Sequence, residues 1–432
     1  MKNWFKIFII FSGLFSCNPE KITSQNDKDG VITSLPYKWK SRISDGVLGY
    51  GLYHGYVINN MGVLCLSMRK STDPKIYGEF YLELKDINSG KNIWVWDEFY
   101  DKTLKRTLNR SIVTFENKMI VHDVLADYCI DTATGKTVWK KQREYGSAAE
   151  LNSIEGRFFI SGLSPESKAQ KKVDDSIFEG DFNTGEISEI VKPAYDVSNA
   201  QTNQERTYIG SIYRHLSYKS ANENMLLVPF DEIGTAGKYN SNRSFFGLYN
   251  LNKKEWAYKR APLSLEEDGS TPSLMPIIKS DKVYLTSLNS VGCFDLTTGN
   301  RIWQYRLSQN QMTALDMVLE DNKIVVNGTD GTIYCMNAST GAVLWSSPSS
   351  AMSSDLFYQD GIIYGIRGTT LRAMDIQSGK LLWDMPSLDS KVENRSDSWY
   401  GGFVTGVKGK ESKKGKIYAT TNLNLYCFEA VN

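Results

Sequence analysis

One hairpin phrase is written along this chain again and again. It reads "YCIDTATGKTVW" at 128–139, "GCFDLTTGNRIW" at 292–303, "YCMNASTGAVLW" at 334–345 and "RAMDIQSGKLLW" at 372–383. Weaker copies begin at Asp86 ("DINSGKNIW"), Asp181 ("DFNTGEISEI") and Asn250 ("NLNKKEW"). A catalytic motif is normally present once, whereas a phrase repeated around the chain is architecture. The later copies follow one another after 45, 42 and 38 residues, the size of one four-stranded propeller blade.

Each part of the phrase has a physical task. Asp or Asn at the turn entrance accepts hydrogen bonds from backbone N–H groups just downstream. A glycine four residues on (Gly90, Gly135, Gly185, Gly299, Gly341 or Gly379) tolerates the positive φ that closes a short hairpin. The strand then restarts and reaches Trp94, Trp139, Trp303, Trp345 or Trp383, with Trp256 in the copy that lacks the glycine. Ile93, Val138, Ile302, Leu344 and Leu382 stand directly before their tryptophans. Neighbours on a strand point to opposite faces, so these pairs predict sheets packed on both sides, with the tryptophans wedged between blades.

The count of copies decides closure. Seven are visible, and the chain ends in "NLNLYCFEAVN", an inner strand that stops at its turn. Its missing outer strand has a candidate near the other end, "LPYKWKSRI", with Trp39 in the tryptophan position. Pairing the two termini would leave no free blade edge there. The reading is an all-β, eight-bladed propeller of four-stranded antiparallel blades over residues 36–432, closed by the N-terminal strand, with seven blades as the alternative.

Residues 1–16 stand apart: "MKNW" is basic at Lys2, and "FKIFIIFSGLF" is an apolar run too short to cross a bilayer comfortably. The layout is that of a secretory signal, and "LFSC" resembles a relaxed lipobox with Cys17 as the lipid-bearing residue. Residues 17–35 then read as a flexible polar tether. Fifty basic against forty-nine acidic residues argue against a nucleic-acid partner, which would usually need a basic face.

The c–d turns of the repeat are short and regular, while the long segments fall on the opposite rim, where b–c loops and d–a connections lie. The b–c insertions are 70–77, 163–175 and 231–243; the d–a connections are 97–109, 192–205, 262–272 and 384–397. Elaborated loops on one rim of a rigid ring are where binding is commonly placed, so a protein partner is expected there. Catalytic signals are weak. The three histidines, His54, His122 and His215, belong to no zinc motif, and no GxSxG elbow is present. Cys129, Cys293, Cys335 and Cys427 occupy one equivalent place, two residues before the turn entrance, and with Cys65 read as small buried hydrophobes rather than disulfide partners. "EEDGS" (266–270) lacks EF-hand spacing, and "NGTDGT" (327–332) reads as a b–c turn.

The Asp-x-x-Thr-Gly-x-x-x-Trp ladder resembles the tryptophan-docking repeat of pyrroloquinoline-quinone-type β-propellers, most clearly from 281 to 383. That resemblance implies the fold, which hosts several functions. In one branch it implies a dehydrogenase holding pyrroloquinoline quinone and calcium, often beside a pair of adjacent cysteines, which this chain lacks. The other branch is non-catalytic and includes the propeller lipoprotein of the β-barrel assembly machinery. Lipobox, tether and bare propeller suit the second branch. The expectation is a non-enzymatic scaffold or binding protein with no cofactor, anchored at the outer membrane and facing the periplasm, with the cell surface as the alternative. A quinone dehydrogenase and a carbohydrate-binding propeller are the competing readings.

Overall fold

The computed structural model describes residues 22–44, 55–73, 78–101, 112–123, 125–143, 151–203, 206–232, 243–263, 274–287, 290–307, 314–348, 350–389, 400–410 and 414–431. Eight antiparallel sheets form the blades of a propeller. They span 56–96, 113–142, 151–191, 216–262, 277–306, 314–347 and 357–386, and the eighth combines 400–429 with Trp39–Arg42. Within each blade the strands a to d run outward from the axis. Closure follows the predicted route: Trp39–Arg42 lies antiparallel to Asn424–Glu429, with Trp39 opposite Cys427 and Arg42 opposite Asn424.

The repeat explains how blades adhere. In each regular turn the entrance residue accepts from the N–H groups two and three residues on; Asp131 Oδ1 takes Ala133 N at 3.1 Å and Thr134 N and Oγ1 at 2.8 Å. Gly135 then sits at φ 69°, where a side chain would be strained. Space matters as much as φ: a Cβ there would lie 2.7 Å from Trp94 Cγ of the preceding blade. The Trp94 indole N–H reaches past it to Thr132 O at 2.9 Å. The same dock joins Trp39 to Ile87 O, Trp139 to Phe182 O, Trp303 to Ala338 O and Trp345 to Ile376 O. Each tryptophan thus fills the niche left by the next blade's glycine and satisfies one of its turn carbonyls.

Three expectations need correction. Ile93, Val138, Ile302 and Leu344 are exposed, at 40–49%, and do not pack between blades. The cause is a β-bulge at that residue: Cys129 pairs with Trp139 but Ile130 with Thr137, so Val138 is skipped, and Ile93, Ile302 and Leu344 are skipped likewise. A bulge breaks the two-residue alternation on which the expectation rested.

Trp256 does not take the docking place either. In blade 4 the bulge falls at Ala257, so Trp256 pairs with Tyr249 while Tyr258 pairs with Leu248. Tyr258 lies against Gly299 and donates to Leu296 O at 3.2 Å, the bond an indole makes elsewhere. Trp256 instead packs edge-on to Tyr249, ring centroids 5.3 Å apart.

The tether is partly built into the fold. Gln25–Asn26 and Ile32–Ser34 form a hairpin, and Ile32–Ser34 runs parallel to Leu381–Pro386 on the outer edge of blade 7. The reason is apolar: Ile32 and Leu35 pack on the core that contains Trp383 and Met385.

The dock is missing between blades 3 and 4. Glu189 stands at the sequence place of the tryptophan, but the bulge in blade 3 falls at Ile190, so Ser188 lies opposite Glu179 and Glu189 opposite Phe178. The glycine position of the next turn is Lys254, at φ 56°. The two departures belong together, because without an aromatic ring to receive, the turn can carry a side chain.

Candidate interaction surface

Among the described residues, the same two blades carry the largest elaboration of the b–c/d–a rim. The insertion at 163–175 begins with a short helix, Pro165–Ala169, whose N-cap Ser164 accepts from Ser167 N at 3.1 Å. It continues into Lys172–Asp174, which pairs in parallel with Arg206–Ile212 from the connection between blades 3 and 4. That connection also folds Gln201–Asn203 back on Arg206–Ile212. Gly210–Ile212 then pairs with the end of the ten-residue strand Glu223–Glu232, the b strand of blade 4. One strand of the blade 3 insertion and two of the connection thereby join the four strands of blade 4 in one seven-stranded sheet, here called the crest.

Polar side chains lock the crest. Lys192 Nζ donates to Asp174 Oδ2 at 2.9 Å and to Ser167 Oγ at 3.2 Å. Tyr195 OH donates to Asp175 O at 3.0 Å, and Ile212 N donates to Asp175 Oδ2 at 3.1 Å. Burial, reinforced by the Asp174 charge, raises the Asp175 carboxyl to about 6 although the Ile212 bond pulls it down. Glu232 is fully buried yet fully engaged: Arg260 grips both its oxygens, Arg243 approaches at 3.5 Å, and Asp196 N donates at 2.7 Å. The Arg260 guanidinium also lies 3.8 Å over the Phe245 ring. Above these locks the surface is mixed: Glu166, Lys168 and Lys171 are exposed, and Val197 is 65% exposed on its own helical turn.

Other connections are pinned to neighbouring b–c turns. Asp389 accepts from Asn424 Nδ2 at 2.9 Å, Tyr426 OH at 2.5 Å and the Thr421 hydroxyl. Asp123 receives Tyr128 OH at 2.7 Å, and Tyr128 OH accepts Tyr100 N at 3.1 Å. These bonds tie the two connections to the blades beside them.

Several sequence candidates fall elsewhere. Cys17, His54 and residues 266–270 lie outside the described residues, as do 74–77, 102–109, 204–205, 233–242, 264–272 and 390–397 of the long loops. His122 and His215 are buried, and burial holds both well toward the neutral form, His215 down to about 4. Cys65, Cys129, Cys293, Cys335 and Cys427 are buried free thiols. Cys129, Cys293, Cys335 and Cys427 each stand directly opposite a tryptophan, which explains the small side chain there. Among the described residues no three His, Cys, Asp or Glu side chains gather to hold a metal.

Glu232, Arg243, Arg260, Lys192 and Tyr195 were invisible as a group in the sequence, because 68 residues separate Lys192 from Arg260. The one local signal was "NMLLVPFDE", an unusually long apolar run ending in two acids.

Residues 266–421 match the family model described as outer membrane protein assembly factor BamB. No curated protein sequence matches the chain. Among solved structures, BamB from Moraxella catarrhalis is 12% identical with a TM-score of 0.57, covering 92% of this chain and 100% of its own. A europium-containing methanol dehydrogenase is 13% identical with a TM-score of 0.59, covering 91% and 93%. The computationally designed Ika8 protein is 12% identical with a TM-score of 0.56, covering 90% and 99%. At such identities the structures speak for the fold alone. The docked repeat and the eight-bladed ring make this chain a β-propeller, and its residues 266–421 are similar to the BamB family model.

Proposed function

We propose that this chain is a membrane-anchored, non-enzymatic binding protein that docks a protein partner on its b–c/d–a rim, as an accessory in outer-membrane protein assembly. The observation that carries the reading is the crest. An inserted strand of blade 3 and the connection after it are joined to blade 4 in one sheet and held by partly buried ion pairs, while the c–d rim keeps its short turns. A ring that only needed to exist would not need such a projection. The match to the BamB family description supports the class of partner, a component of barrel assembly. Lipid attached at Cys17 would hold the ring at the outer membrane, on the periplasmic side.

The testing experiment is a cross-linked pull-down of the full-length protein from native membranes, with a variant in which residues 163–175 are replaced by a short turn. Recovery of a barrel-assembly protein by the native chain, lost in the variant, is the expected result. Quinone- and calcium-dependent oxidation of an alcohol or sugar by the purified chain would replace this reading with the dehydrogenase one. Saturable binding on a glycan array with no protein adduct would replace it with the carbohydrate one.

A further inference from the structure

We propose that residues 25–34 are a strap that turns the b–c/d–a rim towards the membrane in which the lipid sits. This rests on the reading of Cys17 as the anchor and goes beyond it, since an anchor on a free tether leaves either rim able to face the bilayer.

The direction follows from the strand order. In every blade the d strand runs from the c–d turn to the d–a connection. Ile32–Ser34 is parallel to the d strand Leu381–Pro386, with Ile32 opposite Trp383, so it climbs towards the b–c/d–a rim. Gln25–Asn26 is antiparallel to it, with Gln25 beside Ser34, and therefore descends from that rim. The chain before Gln25 arrives from the elaborated side. The hairpin is closed firmly: Asp27 Oδ1 accepts Asp29 N and Val31 N, both at 2.8 Å. Its far end is held too, because four residues after Ser34 the chain enters Lys38, whose N–H bonds Cys427 O at 2.7 Å, and then the closing strand of blade 8. Ile32 and Leu35 add apolar anchorage on blade 7.

Cys17 lies eight residues before Gln25, a reach of at most about 28 Å even if fully extended. A lipid at that distance, approached from the elaborated side, draws that rim to the bilayer and leaves the c–d turns facing away. The crest is then presented to partners embedded in the same membrane.

The test couples a maleimide lipid to Cys17 of the chain beginning at that residue, whose described fold starts at residue 22, the other cysteines being buried. The coupled protein is bound to phosphatidylethanolamine–phosphatidylglycerol vesicles, and lysine acetylation rates are read by mass spectrometry against the unbound chain. Lys168 and Lys171 on the crest should react at least about threefold more slowly on vesicles, with Lys136, Lys253 and Lys380 in the c–d turns unchanged. Ile32→Asp, which places a charge against the blade 7 core, should abolish the difference while Ile32→Val retains it. Equal protection of both rims, protection of the c–d turns, or a difference that survives Ile32→Asp would overturn the strap. Native lipidation is read separately from the mass of the Cys17 peptide, so its absence would sink the anchor reading without touching this result.

Discussion

A single glycine in each regular turn decides how closely the preceding blade's tryptophan can dock. Gly135→Ala would place a methyl 2.7 Å from Trp94 and force alanine to φ 69°. The expected loss is about 2–4 kcal/mol, combining left-handed backbone strain with overpacking, measured by denaturant unfolding. Lys254→Gly removes a side chain already held at φ 56° with no indole behind it, so relief of strain and loss of chain stiffness nearly cancel, within about 1 kcal/mol. If the two substitutions cost the same, the niche argument fails.

The turn carboxylates carry a pH signature. Asp131, Asp181 and Asp295 are held below the usual range by bonds from the residue three further on: chiefly the Thr134 hydroxyl, the Thr184 N–H and the Thr298 N–H. A depressed folded-state value means that their stabilisation is complete above the unfolded carboxylate range, near 4, and is lost as pH falls through the folded values. Asp175 has the opposite sign. Its value of about 6 means that the folded state holds its proton more tightly, so stability declines as pH rises from 4 towards 6 and the penalty persists above. Asp175→Asn should therefore raise the melting temperature at pH 8 and leave it unchanged at pH 4. An equal shift at both values would contradict the burial argument. The turn carboxylates were legible in the sequence because their partners are two and three residues away. Asp175 was not, since its burial depends on a connection that returns 37 residues later.

At the scale of elements, local periodicity read well and its exceptions did not. Turns, strands and cysteine positions followed from the repeat, but the bulge before each tryptophan was mistaken for a buried neighbour, and Tyr258 was passed over for the more conspicuous Trp256. Spacing from the turn entrance would have found it: Asn250 to Tyr258 equals Asp131 to Trp139. The gap between blades 3 and 4 gives an element-scale prediction. Ser188→Trp, at the place opposite Glu179, gains nothing alone, because Lys254 occupies the niche. Combined with Lys254→Gly it should show favourable coupling of about 1 kcal/mol in a double-mutant cycle. The crest is more brittle. Arg260→Met leaves Glu232 buried without its main partner and should cost about 3–5 kcal/mol of blade 4 stability, seen as early hydrogen exchange in residues 223–262. Unchanged protection there would mean that the pair does not hold the crest.

For the whole molecule, the ring closes by joining its termini, an arrangement legible because both half-blades kept their motif: Cys427 on one side and Trp39 on the other. Function was less legible. The repeat says how the blades stand, whereas the crest is made of segments that share no motif and meet only through folding. The account's central claim is that partners meet the crest and not the opposite rim. The most direct measurement is position-resolved photo-cross-linking in native membranes, with a photoreactive residue at Lys168 on the crest or at Thr184 in a c–d turn of the same blade. A discrete adduct to a barrel-assembly protein from position 168, absent from 184, is predicted. The same adduct from 184, with none from 168, would place the working face on the other side of the ring and contradict the account.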